Sequence, residues 1–357
     1  MLARMLSFVK RILGARQGPG PAEEALPTVA PADPRVRSGD GFLDLLEEAG
    51  HRDGFHHPRW ERVEAWLEGL PESARNDAWL ACERTWLELF RESLGGNYRL
   101  HESATCFLLS AQSPRTAAAT LGFLDTTLRR VQHLLEELAA SSDAGKEILV
   151  VFADEEDYYR YVGYYYPDEG EFAMSSGMFL HAGCSHFVVH GEELSHFEPV
   201  IVHEMTHSQL SHLPIPAWLN EGMAVNSEQR LTRIGADAWS VMKLEDQHRK
   251  FWTVETIQQF WSGAAFLRPD QGSELAYDLG RLMVNGLSSD WAAFKRFAQA
   301  AHLEDAGRSA AHAALDIDLG EFVRHFLRQT GGEWGPVPSL WPAPPERGQF
   351  RGSTHAP

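Results

Sequence analysis

Cysteine is scarce in this chain, positive charge falls well short of negative, and long apolar runs are missing. Cys82, Cys106 and Cys184 are odd in number and unpatterned, so no disulfide framework is expected. Buried free thiols in a reducing compartment, hence a cytoplasmic protein, are the expectation. Lys and Arg number 32 against 50 Asp and Glu, a net charge of −18. Phosphate backbones are held by clustered Lys and Arg, so this balance argues against a nucleic-acid partner. It predicts a self-repelling, soluble surface. No apolar run approaches the ~18–20 residues of a spanning helix, so no transmembrane segment is expected. The 357 residues, 43% of them hydrophobic, suffice for a substantial core.

What the chain does contain is concentrated between Ser195 and Val225. His203-Glu204-Met205-Thr206-His207 is an H-E-x-x-H pattern, and thirteen residues separate His207 from Glu221 in Trp218-Leu219-Asn220-Glu221-Gly222. Helical residues four apart differ by only about 40° in direction. His203 and His207 therefore face the same way and can share one Zn²⁺, with Glu204 beside the open coordination position as base for bound water. Glu221 can supply the third ligand if the chain turns back. Pro214 ends the first helix, and Pro216 suits the first position of a second. Upstream, Ser195 and Glu198 could form a capping box, or Pro199 could occupy the first turn. With 17 histidines in the chain, the pattern could instead be a polar pair on a structural helix. Ile201, Val202 and Met205 make that helix apolar, however, and unpaired imidazoles beside a carboxylate would be costly to bury there. A metal ion removes that cost.

HEMTH followed by WLNEG resembles the gluzincin class of zinc metallopeptidases, in particular the bacterial peptidase MA-like families. The resemblance implies His203, His207 and Glu221 as ligands of one zinc per chain and Glu204 as general base and acid. It is specific over 203–222 and extends as a general pattern of elements over 98–330.

Taken in order, residues 1–16 form a basic amphipathic segment. Its stretch 1–14 could lie on an anionic membrane surface, although a frayed or packed N-terminal helix is the favoured reading. Residues 17–40, rich in Pro, Gly and Ala, read as a linker. Residues 41–95 read as a helical N-terminal subdomain, with one helix opening at Phe42-Leu43-x-Leu45-Leu46 and amphipathic stripes at Trp60–Leu67 and Ala78–Leu94. His56-His57 could bind metal in principle, but no third ligand is evident. The gluzincin-like domain covers 96–333. It holds strand character at Tyr98–Ser110, a long helix at Thr116–Leu138, a buried strand at Ile148–Phe152 and a helix from Asp157.

Gly177–His181 and His186–His190 read as short strands. In gluzincins an edge strand before the metal helix pairs with extended substrate, and these are its candidates. The Gly–aromatic–acidic loop with which gluzincin aminopeptidases hold a free amine is not recognisable, which favours an endopeptidase. His181, His186, His190, His196 and His212 could hold a second metal, although exposed or backbone-bonded imidazoles are the simpler reading. Cys184 could be an inhibitory zinc ligand or, more simply, a small buried turn residue.

Beyond Val225, helices are expected at Ala236–Phe251, Val254–Trp261, Glu274–Leu287, Trp291–Ala301 and Leu319–Gln329. Related peptidases carry an Ala-Tyr on a helix here. Tyr277 is therefore the candidate to stabilise the developing oxyanion, unless it is a core tyrosine. Arg281 could assist it or pair with Glu274 or Asp278. Residues 334–357 read as a Pro/Gly-rich tail. The expected fold is α+β, a small mixed sheet packed on the metal helix and followed by a mostly helical lobe. The expected activity is zinc-dependent hydrolysis of a peptide or protein substrate, with no other cofactor. Two other classes of function remain open: a non-catalytic zinc-bearing scaffold that binds a protein partner, and a membrane-surface regulator recruited through residues 1–14.

Overall fold

The computed structural model describes residues 32–39, 41–47, 49–140, 145–165, 177–191, 194–232 and 238–341. The basic segment 1–16 and most of the linker lie outside them. The fold is α+β and is organised by one five-stranded mixed sheet. Its strands are β5 (Arg99–Glu102), β6 (Cys106–Ser110), β7 (Glu147–Phe152), β8 (Gly177–Ala182) and β9 (Cys184–His190), in the order β5-β6-β7-β9-β8. β6, β7 and β9 run parallel, and β5 and β8 close the two edges antiparallel. The strand character of Tyr98–Ser110 thus resolves into a hairpin.

Both faces of the three inner strands are covered, which is why CFLLS and EILVVF are continuous apolar runs rather than alternating ones. The pleat sends successive residues to opposite cores. Phe107, Leu109, Ile148, Val150 and Phe152 enter one core. Cys106, Leu108, Leu149 and Val151 enter another, against Ile201 and Met205.

The first core is completed from the N-terminal side. α1 (Trp60–Glu68), α2 (Glu72–Leu94) and α4 (Glu155–Tyr165) contribute Trp60, Trp86, Phe90 and Tyr161. Two hairpins precede α1: β1 (Arg35–Ser38) with β2 (Gly41–Asp44), and β3 (Gly50–Arg52) with β4 (Phe55–His57). Here the structure corrects two expectations. Part of the linker, Arg35–Ser38, is a strand with Val36 buried, and the helix expected from Phe42 is β2. The apolar cluster at Phe42–Leu46 is too short to establish helical period, and the flanking glycines permit a hairpin. Gly183 turns β8 into β9 at φ +80°, and a Cβ there would fall 2.1 Å from the Trp60 side chain, so the turn demands glycine twice over.

The opposite face carries α3 (Pro114–Leu135) and α5 (Leu194–Leu210), followed by α6 (Ala217–Thr232). Ser113 caps α3 by accepting the Thr116 N–H. The helical lobe adds α7 (Ala238–Phe251), α8 (Ile257–Trp261), α9 (Gln271–Leu287), α10 (Trp291–Ala300), α11 (Arg308–Leu315) and α12 (Leu319–Phe326). Its core gathers Trp218, Phe260, Trp261, Leu279 and Phe297 with Val202 and Leu210 of α5. The expected tail also begins later than its composition suggests. Trp334 is buried, Trp261 donates to its carbonyl at 2.8 Å, and the Gln258 amide accepts from Val337 N–H at 2.9 Å and Trp341 Nε1 at 3.2 Å. Residues 342–357 lie outside the described residues. Among the described residues no helix is long and apolar enough to cross a membrane.

Candidate metal centre

α5 is shared between two cores, with Ile201 and Met205 turned to the sheet and Val202 and Leu210 to the helical lobe. His203, Glu204 and His207 lie in this same buried length of helix. The helix starts at Leu194, so Pro199 lies in its second turn rather than its first. The side chains of 194–197 are outside the described residues, and with them the proposed Ser195 cap. After Leu210 the chain breaks at Leu213–Pro216. Pro216 sits one residue before α6 rather than at its first position, its carbonyl accepting the Asn220 N–H at 3.1 Å. α6 returns along α5 and carries Glu221 four residues after its start at Ala217.

His203, His207 and Glu221 are, among the described residues, the group whose potential ligand atoms converge, all lying within 4.8 Å of one another. Glu221 Oε2 stands 3.3 Å from His203 Nε2 and 3.4 Å from His207 Nε2. Ligand atoms around a tetrahedral zinc at 2.0–2.1 Å lie about 3.3 Å apart, so the spacing suits that ion. His207 Nε2 and Glu221 Oε2 are buried without a hydrogen-bond partner. Orphaned polar atoms of this kind are costly. Here they face each other across a gap of ligand-to-ligand length, and the donor set fits a divalent transition metal.

The far side of each imidazole is held by α6. Asn220 Oδ1 lies 3.1 Å from His207 Nδ1, and Glu228 Oε2 lies 3.5 Å from His203 Nδ1. With a cation in the cluster, each ring would donate Nδ1–H to its outer acceptor and turn its Nε2 lone pair to the metal. Glu228 escaped the sequence reading, although a signal exists: it follows Glu221 by seven residues, two helical turns, and so shares its face.

Electrostatics follow from this crowding. Burial opposes charge on His203, but the carboxylates of Glu221 and Glu228 prevail and hold its pKa well above the usual value. His207 is also raised, chiefly by Glu221 working against burial. Burial pushes Glu221 up, but the two imidazoles outweigh it and hold its carboxyl at about 2. Glu204 moves the other way. Burial raises it, partly countered by the imidazoles and by a backbone hydrogen bond from Phe179 on edge strand β8. Adjacent carboxylates on one helical unit thus receive opposite tendencies, one held ionised and the other pushed toward accepting a proton.

Tyr277, on α9, brings its ring centroid to 6.3 Å from that of His203 and packs edge-on to Phe266 at 5.1 Å. Burial, then Glu221 and Glu204, keep its phenol well above its usual pKa, so it holds its proton. Arg281 donates through Nε and Nη2 to Asp278 Oδ1 at 3.0 and 2.7 Å. Of the roles weighed for it, the structure therefore displays the pairing with Asp278. That carboxylate also meets His248 Nε2 at 2.9 Å.

The other candidate ligands stand apart. His57 is buried and stacked on Tyr164 at 3.5 Å between ring centroids. His186 is bonded to Tyr161 Oη at 2.8 Å and to the Cys184 carbonyl at 2.9 Å. Cys184 opens β9, fully buried, with Glu83 and Cys82 near enough to help raise its thiol pKa. None of these joins a converging group of three. The side chains of His181 and His196 are outside the described residues.

No protein-family model matches the chain, and comparison with curated proteins yields no match.

Proposed function

We propose that this chain is a gluzincin-like zinc metallopeptidase that hydrolyses internal bonds of peptide or protein substrates. The observation that carries the reading is the convergence of His203 Nε2, His207 Nε2 and Glu221 Oε2, two of these atoms being buried and otherwise unpartnered. Zinc held by these three would supply a Lewis acid for the scissile carbonyl and acidify a bound water.

The remaining steps belong to the chain's own side chains. Glu204, adjacent to His203 and raised by burial, accepts the proton of the attacking water and returns it to the leaving amine. Its hydrogen bond from Phe179 ties this carboxylate to the edge strand. β8, which among the described residues pairs only with β9, is the strand along which an extended peptide aligns its backbone. Tyr277, protonated and beside His203, donates to the oxyanion that develops on the carbonyl oxygen.

Elemental analysis of protein purified without chelator tests the site, with about one zinc per chain expected. Cleavage of a mixed peptide library tests the chemistry. Absence of zinc even after dialysis against it would refute the reading. Zinc retained without hydrolysis of any peptide would point instead to a zinc-bearing scaffold.

A further inference from the structure

We propose that Glu228 is a positioning residue whose negative charge fixes His203 as a metal ligand, so that α6 supplies both a ligand and the anchor of its neighbour. The inference rests on the metal-site reading above. His203 has two ring nitrogens, and the structure gives each a different carboxylate: Nε2 faces Glu221 at 3.3 Å and Nδ1 faces Glu228 at 3.5 Å. An ionised carboxylate can only accept. Once a cation takes the Nε2 lone pair, pairing with Glu228 therefore keeps the remaining proton on Nδ1, turned away from the ligand cluster.

The placement is not that of an ordinary surface glutamate. The Glu228 side chain is 11% exposed, as is that of His203, so solvent screens the pair weakly. Among the described residues the ion-pair partner of Glu228 is His203. Glu221 and Glu228 lie two turns apart on one face of α6, which makes their separation rigid. His203, in the facing helix, is thus gripped from both ring edges.

His207 provides an internal contrast. Its Nδ1 is held at 3.1 Å by Asn220, a neutral amide oxygen. The two imidazoles therefore differ in the charge of their outer partner. A negative acceptor makes the imidazole a stronger donor through Nε2, beyond merely aligning it. Charge and alignment at position 228 can be separated, because Glu228→Gln keeps an acceptor oxygen while Glu228→Ala removes it.

The experiment compares the full chain with Glu228→Gln and Glu228→Ala by competing a chromophoric chelator for Zn²⁺. It also records the imidazole N–H resonances of the ¹⁵N-histidine-labelled, zinc-loaded proteins. Glu228→Ala should bind zinc about 10–100-fold more weakly, and Glu228→Gln by a smaller factor. A protected, downfield His203 Nδ1–H signal should be present in the parent, kept in Glu228→Gln and lost in Glu228→Ala. Zinc affinity of Glu228→Ala within about twofold of the parent, with the signal unchanged, would overturn the proposal while leaving the metal site intact. Failure of the parent itself to take up zinc would remove the metal-site reading and this inference with it. If Glu228→Ala does not fold, Glu228→Gln carries the test, and an affinity equal to the parent's would overturn the role of the charge.

Discussion

Gly222 and Gly280 meet backbone to backbone where α6 crosses α9. A Cβ on Gly222 would stand 2.4 Å from the Gly280 carbonyl oxygen, and one on Gly280 would stand 2.9 Å from the Trp218 carbonyl oxygen. Glu221 directly precedes one glycine, and Tyr277 lies three residues before the other. The close crossing is therefore what brings a tyrosine of the helical lobe beside the His203 ring. Glycine costs a helix about 1 kcal/mol relative to alanine, and here the inter-helix contact requires it. Gly222→Ala must separate the helices or bend one of them, and should destabilise the fold by about 1–3 kcal/mol. Denaturant unfolding checks the stability, and zinc titration of the folded fraction should show weaker binding because Glu221 moves with the helix.

Glu204→Gln separates chemistry from metal binding. The amide is nearly isosteric and does not belong to the converging ligand group, so zinc content should match the parent while turnover falls by about 10²–10⁴-fold. His203→Ala should lose both. Parallel metal analysis and peptide cleavage make the comparison, and parent-like turnover in Glu204→Gln would exclude it as the base.

Tyr277→Phe removes one hydroxyl and keeps the ring that packs on Phe266. Zinc content and melting temperature should stay at parent values. If the phenol stabilises the oxyanion, kcat should fall about 10²–10³-fold with little change in KM. A kcat unchanged within error would make Tyr277 a packing residue only.

The pH dependence of stability should reflect two opposed sets of buried or half-buried groups. Burial raises Glu147 from 4.5 to about 7 against its bonds from Ser208 and Gln209, and raises Glu83 to about 7 against its bond from Trp79. The folded state then binds more protons than the unfolded state between about 4.5 and 7. These two groups stabilise fully below 4.5, and their contribution is lost as pH rises through 7. Burial lowers His57 from 6.5 to about 3 and His186 to about 4. Their contribution is present above 6.5 and lost as pH falls toward 4 and 3. Between about 4.5 and 6.5 the two slopes oppose each other, each group contributing up to about 1.4 kcal/mol per pH unit. Glu147→Gln should make stability rise more steeply with pH across that window, and His57→Phe should tilt it downward. Denaturant midpoints measured from pH 4 to pH 8 read both signs.

Much of the candidate site was legible because its geometry is local. The four-residue spacing of His203 and His207, the Pro214 break and the return of Glu221 all follow from helical period and proline stereochemistry. The inner strands were legible for a similar reason, since a run such as Ile148–Phe152 has few alternatives. The N-terminal hairpins were not. Phe42-Leu43-x-Leu45-Leu46 carries too few residues to separate a period of 2 from one of 3.6, and its pairing partner Arg35–Ser38 sits in a stretch whose composition reads as a linker. The packed segment Trp334–Trp341 was hidden the same way, because proline and glycine mark a break in regular structure without saying whether tryptophans beside them are buried.

By itself, then, the sequence determined the helix-break-helix unit and the residue types that can ligate, because backbone sterics and side-chain period act over a few residues. Only the tertiary structure decided which groups surround that unit. Glu228 at His203, Phe179 at Glu204 and the Gly222–Gly280 crossing that delivers Tyr277 all depend on how α5, α6, α9 and β8 pack. Such contacts join residues up to 58 positions apart (Gly222 to Gly280), and no local periodicity encodes them.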